Sequence, residues 1–199
     1  MRYIGSAVTG ALSLLIMMSA SQGVAADQIS DQISVLLNAN GQTEVSLPDH
    51  KSLDAKILVP RFYEERAFQP AWTRADLTEE LFAEMENAAA QGFTATDFNV
   101  SELRASFEKA QSGDASDQAV FDVVATDTAV KLIHHLVFGK VDPSALDKDW
   151  NFSKPVIEQD PAYVLNQFLA GDGFSALIDR IDIKNAQYTQ LVVALEKYK

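Results

Sequence analysis

Between Phe121 and Phe138 the chain carries two apolar series side by side. Val123, Val130, Ile133 and Val137 form one; Phe121, Ala125, Ala129, Leu132 and Leu136 form the other. Both recur at helical spacing, so together they make one wide apolar face. A face that wide is buried only by packing on two neighbours at once, which makes this helix the axis of whatever forms around it. Gly139 follows the last periodic residue, where a helix ends with a residue at positive φ. Pro143 cannot rejoin the helix. The loop after it, SALDKDWNF, is expected to fold Trp150 and Phe152 back onto the helix end.

The remaining elements also read as helices. Residues 27–40 place Ile29, Ile33, Leu36 and Leu37 at helical spacing before Asn40-Gly41 interrupts them. Thr43 to Leu47 alternates weakly and reads as extended chain or a short strand. In ILVPRFYEERAFQPAW, from Ile57, Pro60 suits a first helical turn. Phe62, Tyr63 and Arg66 share a side, and Pro70 forces an end near Ala67. Asp76, with Glu79 three residues on, reads as the cap of a helix that buries Leu77, Leu81, Phe82 and Met85, with Gly92 closing it. Thr96 or Asp97 is expected to close a short turn, and Ser101 to cap a helix carrying Leu103 and Phe107. Gln111 to Gln118 is polar and small and reads as a loop. Pro161 starts another helix, Gly171 and Gly173 end it, and Phe174 to Ile181 forms a short one. The last segment has Tyr188, Leu191, Val192, Leu195 and Tyr198 on its apolar positions. The fold class is therefore all-α, a single irregular helical bundle of about seven or eight helices.

The N-terminus has the layout of an export signal. A basic Arg2 precedes an apolar run from Ile4 to Met18, and Val24-Ala25-Ala26 fits small-residue cleavage before Asp27. Residues 1–26 are thus expected to be a signal peptide and 27–199 the mature domain, placed in the periplasm with no membrane attachment once cleaved. The net charge is −12. That repels nucleic acid and anionic lipid alike. There is no cysteine in the 199 residues, so stability has to come from packing rather than from disulfides.

Three stretches resemble the N-terminal scaffold domain of large bacterial L,D-transpeptidases, enzymes that cross-link peptidoglycan. The first is the F-Y-x-x-R-x-F-x-P-x-W pattern at Phe62, Tyr63, Arg66, Phe68, Pro70 and Trp72. The second is Gly139-Lys140-Val141-Asp142-Pro143 with Leu146 and Trp150. The third is the closing helix with Tyr188 and Leu191. The likeness covers Ile57 to Lys199. It implies a domain of the cell-wall machinery, with these residues in structural roles. Those enzymes act through a cysteine thiolate in an S/T-H-G-C motif, and no position here matches it, so no catalytic residue carries over.

No other chemistry is framed by a motif. His134 and His135 point about 100° apart on a helix and do not share a metal easily. One is expected at the core edge and one in solvent. Asp127, Lys131 and His134 share a stripe and could form an ion-pair ladder. Tyr63, Phe68, Trp72, Trp150 and Phe152 read as core aromatics, with a glycan-stacking surface as the alternative. No catalytic, metal or cofactor residue is assigned. The reading is a non-catalytic, exported cell-wall domain that binds a cell-wall protein (a synthase, transpeptidase or hydrolase) or peptidoglycan itself. The alternatives are a remnant of a transpeptidase and a glycan hydrolase with a carboxylate site outside known motifs. Cleavage before Asp27 is the first testable consequence: N-terminal sequencing of the mature protein should begin at Asp27, and a native Met1 in a membrane fraction would refute it.

Overall fold

The structure, a computed structural model, describes residues 25–37, 52–140, 159–181 and 186–198. Among them there is no strand. Eight α-helices follow in order: α1 (25–37), α2 (Leu58–Glu65), α3 (Ala75–Ala88), α4 (Val100–Ser112), α5 (Ala115–Phe138), α6 (Pro161–Ala170), α7 (Phe174–Ile181) and α8 (Ala186–Glu196). Two short 3-10 turns, Ala89–Gln91 and Ala95–Phe98, join α3 to α4. The chain is all-α, as its patterning requires. No described helix is long and apolar enough to cross a membrane.

α5 is the axis. Phe121, Val123, Val124, Ala125, Ala129 and Leu132 are buried, and Val130, Ile133 and Leu136 pack against the same core. Its neighbours include α2, α3, α4 and α7. α4 and α5 form an αα-hairpin joined only by Gly113 and Asp114. The polar stretch 111–118 is therefore mostly helix. Asp114 makes so short a link possible, because its carboxylate accepts from the N–H groups of Ser116 (2.9 Å) and Asp117 (3.1 Å) and starts α5 inside the polar run. Aromatic rings tie the layers together. Phe82 meets Phe107 at 6.1 Å and Phe107 meets Phe121 at 5.2 Å, linking α3, α4 and α5.

Helix ends depart from expectation in two places. Asp76 does not cap α3; Arg74 holds its carboxylate at 2.5 Å, and the helix begins at Ala75 without a side-chain cap. Ser101 lies inside α4, which starts after Asn99 in the left-handed region (φ 49°). Asn tolerates that conformation and so supplies the stop between the 3-10 turn and the helix. The 3-10 turn itself carries the capping box, between Thr94 and Asp97. α8 is the largest departure. None of its residues is buried, Leu191 is 68% exposed and Tyr198, just past its end, 90%. It is a peripheral helix resting on the 89–91 turn rather than a core element.

α6 and α7 form a second hairpin around Gly171-Asp172-Gly173. Its closure depends on α3. Glu80 accepts from the N–H groups of Phe174 (2.6 Å) and Ser175 (3.1 Å), and Glu84 accepts from the Ser175 hydroxyl (2.6 Å). A carboxylate from a different helix thus caps α7. Gly173 lies at φ +97°, and a Cβ there would come within 2.7 Å of the Glu80 carboxylate. Gly173→Ala should therefore strain the backbone and expel the cap together, costing about 1–3 kcal/mol in urea unfolding. A loss under ~0.5 kcal/mol would show that Glu80 does not hold this turn.

Candidate functional site

The residues of the first signature converge on one buried node built around α5. α2 ends at Glu65 because the chain then reverses through Ala67 (φ 51°) and Phe68 (φ 58°), both in the left-handed region that side chains disfavour. Such a turn persists only where its surroundings fix it. From below, the carboxylate of Asp122 does so: it accepts from the N–H groups of Ala71 (2.8 Å) and Trp72 (2.9 Å). It also accepts from the Tyr63 hydroxyl at 2.6 Å. One helical turn on, the Thr126 hydroxyl accepts from the Trp72 indole N–H at 2.9 Å. With the tyrosine proton committed to Asp122, the Thr126 proton is divided between the Asp122 carbonyl (2.9 Å) and the phenolic oxygen (2.8 Å).

From above, Arg66 clamps the same turn. Its guanidinium donates to the carbonyls of Gln69 (2.6 Å) and Pro70 (2.8 Å) and to the Asn166 side chain (2.7 Å) on α6. Asn166 in turn donates to the Phe62 carbonyl at 3.2 Å. Three acceptors spread around one planar fork explain why arginine, not lysine, occupies this position. The guanidinium also lies 5.1 Å from the centroid of the Phe62 ring. Gln69 and the Ala67 carbonyl reach Ser30 on α1.

Electrostatically the node is closed. Tyr63 and Thr126 are fully buried and Asp122 is 4% exposed. Burial, and then the Asp122 charge, push the Tyr63 phenol well above its ordinary value, so it stays a donor. Burial raises the Asp122 carboxyl, while the Tyr63, Ala71 and Trp72 hydrogen bonds and the Arg66 charge pull the other way. Almost no solvent reaches these groups, and with Tyr63 and Trp72 buried they offer no stacking platform for a glycan. Phe62 and Pro70 are buried as well, and Phe68 is half-buried against the core.

The other signature residues lie apart from the node. Gly139 ends α5 at φ 87° with open space around its Cβ position, so its backbone angle rather than its size demands glycine. Lys140 pairs with Asp97 of the 3-10 turn, and this contact, with the Thr94 N–H, holds the Asp97 carboxyl down at about 2. Tyr188 on α8 donates to Gln91, while Leu191 faces out. Val141, Asp142, Pro143, Leu146, Trp150 and Phe152 lie outside the described residues, and so does the stretch Thr43 to Leu47.

The histidines and the expected ladder take different partners. His134 is exposed and His135 half-buried, stacked on Phe93 at 5.8 Å and 7°. Burial, then the neighbouring His134, lowers the His135 value. Asp127 and Lys131 do not build a ladder with His134. Asp127 accepts from the N–H groups of Asp54 (3.0 Å) and Ala55 (2.8 Å), and Lys131 pairs with Asp54 at 2.8 Å. The stripe is a docking rail for the start of α2. Among the described residues, no cluster of three or more His, Cys, Asp or Glu is placed to hold a metal.

A family model described as a scaffold domain matches residues 58–195, from the start of α2 to the last turn of α8. The chain belongs to the scaffold-domain family. No curated protein and no solved structure matches it. The matched region of this scaffold domain contains the whole node, Phe62 to Trp72 on one side and Asp122 and Thr126 on the other. Asp122, Thr126 and Asn166 were not assigned from sequence. The available signal was the pair Asp122 and Thr126, two polar residues four apart inside an otherwise apolar helical face.

Removing the Asp122 carboxylate leaves two buried N–H groups and a buried phenol without their acceptor. Asp122→Ala should cost about 3–5 kcal/mol in urea unfolding. Asp122→Asn, which keeps one acceptor oxygen, should cost less, and Tyr63→Phe should cost less again in the Asn background than alone. Strictly additive losses would show that the two groups do not act as a unit.

Proposed function

We propose that this scaffold domain is an exported, non-catalytic module of the cell-wall machinery, related to the scaffold domain of large L,D-transpeptidases, and that it works by binding a cell-wall enzyme. The observation that carries this reading is the node. Phe62, Tyr63, Arg66, Phe68, Pro70 and Trp72, the residues on which the likeness rests, all serve to hold α2, α5 and α6 together. They are spent on rigidity, and a rigid helical body with exposed faces is suited to presenting a surface.

Chemistry supports the same conclusion. The likened enzymes need a thiolate, and the chain has no cysteine. A carboxylate mechanism would need acids free to reach substrate. Among the described residues, the carboxyls that burial raises, Asp122 and Asp127, are both committed to backbone N–H groups of packed turns. The charge of −12 favours a partner with a basic patch, because complementary potentials speed encounter. Peptidoglycan is rich in carboxylates and would be approached against like charge.

The test is a sacculus pull-down beside cross-linking capture from envelope extract. Capture of a cell-wall synthase, transpeptidase or hydrolase, without sedimentation, is expected. Strong sedimentation with purified sacculi that persists at low salt, where repulsion is least screened, would overturn the preference for a protein partner. Release of cross-linked muropeptides by the purified chain would overturn the non-catalytic reading.

A further inference from the structure

The α6–α7 hairpin carries a feature that the node does not use. A cleft of about 360 Å³ opens on its outer side, lined chiefly by Gln159, Tyr163, Gln167, Phe168, Asp172 and Arg180. Its size falls at the lower end of small-molecule pockets, roughly 300–1,000 Å³. Its walls are fixed. Gly173 N–H donates to the Phe168 carbonyl (2.8 Å) and Gly171 N–H to Gln167 (3.1 Å), while Glu80 pins the start of α7. The Arg180 guanidinium lies 5.7 Å from the Phe168 ring centroid, which stiffens the long side chain across the hairpin.

The lining selects among ligand classes. Asp172 and Arg180 carry opposite charges, so the cleft is close to neutral on a molecule that is otherwise strongly acidic. A polyanion would meet one cation beside a carboxylate, and a cationic ligand would meet Arg180. A purely apolar ligand would strip water from the hydrogen-bonding side chains of this lining without replacing it. A sugar ring satisfies all of them. Each vicinal hydroxyl both donates and accepts, and the two glutamine amides, the carboxylate and the guanidinium supply acceptors and donors side by side. The apolar C–H face of the ring needs an aromatic wall, and Tyr163, 48% exposed, is one of the few large apolar side chains left in solvent among the described residues. We propose that the α6–α7 cleft is a subsite for one pyranose ring of a neutral glycan. This goes beyond the protein-partner reading and does not depend on it.

The test uses the full mature chain and two probes, tri-N-acetylchitotriose and maltotriose, followed by amide chemical-shift titration at millimolar sugar. Saturable shifts at Tyr163, Gln167, Asp172 and Arg180 are expected with at least one probe. A response to chitotriose alone identifies acetamido sugars as the class, and a response to both identifies the bare ring. Tyr163→Ala and Arg180→Ala should each weaken binding about tenfold, with Tm unchanged because both side chains are exposed. Gln167→Ala, also on the exposed face, gives the same reading if either variant fails to fold. No shift with either sugar, or shifts that survive unchanged in the variants, overturns the proposal. Sacculus sedimentation reports separately on wall association, so its failure leaves the titration decisive for the cleft.

Discussion

One carboxylate, that of Asp122, makes the rest of this bundle possible. A helix as apolar on one side as α5 gains most by continuing that surface without interruption. Here it is interrupted, and the interruption binds the one backbone reversal the fold cannot do without. Between α2 and α3, which both pack on α5, the chain reverses through two consecutive non-glycine residues, Ala67 and Phe68, in the left-handed region. Strain of that kind costs of order 1–3 kcal/mol per residue. Hydrogen bonds from a charged acceptor in a dry site offset it, because nothing else there competes for the two N–H groups.

The same device recurs at smaller scale, and it explains how an acidic chain can be well packed. Asp114 caps α5, Asp160 caps α6 through the Ala162 N–H, Asp97 closes the 3-10 turn, Glu80 caps α7 from a distance, and Asp127 holds the residues ahead of α2. Each places negative charge at the positive end of a helix or turn, where it is stabilising. These carboxylates are thereby spent on backbone rather than left to repel one another across the surface. Asp160 adds an ion pair with Arg61, so its one side chain both starts α6 and fastens it to α2.

The parts of this architecture that follow from periodicity were legible in the sequence. α6, α7, the apolar body of α5 with its end at Gly139, and the stop at Gly92 after the 3-10 turn that follows α3 lie where apolar spacing, proline and glycine put them. What was not legible is what depends on the partner of a polar side chain. Asp76 looked like a cap, yet Arg74 two residues earlier takes its carboxylate. Ser101 looked like a cap, yet Asn99 already starts the helix. Asp127 and Lys131 looked like rungs of one helix and instead reach across to residues 54 and 55. Local pattern fixes which residues a helix shows on a face, but a carboxylate has many equivalent donors within reach, and only tertiary packing chooses one. The site follows the same rule. The aromatic and arginine half of the node stood out as a motif. Its acceptor half stood out only as two polar residues on an apolar stripe.

Where the node sits also separates what holds this scaffold domain together from what it can recognise. Tyr63, Asp122 and Thr126 have almost no contact with solvent, so a ligand meets none of them. Changes there move stability and leave the chemistry of the surface as it was. Recognition has to be written on faces the core does not constrain. Among the described residues, two such faces stand out: α8, which contributes no buried residue, and the outer side of the α6–α7 hairpin. The hairpin is the better defined of the two, because Glu80 and Asn166 anchor its inner side to α3 and α2 while Tyr163, Gln167 and Arg180 remain outside. A helix pair clamped on one side and chemically free on the other can change its outward residues at little cost to the fold. A stable body of this kind can therefore acquire or lose a ligand without rebuilding its core.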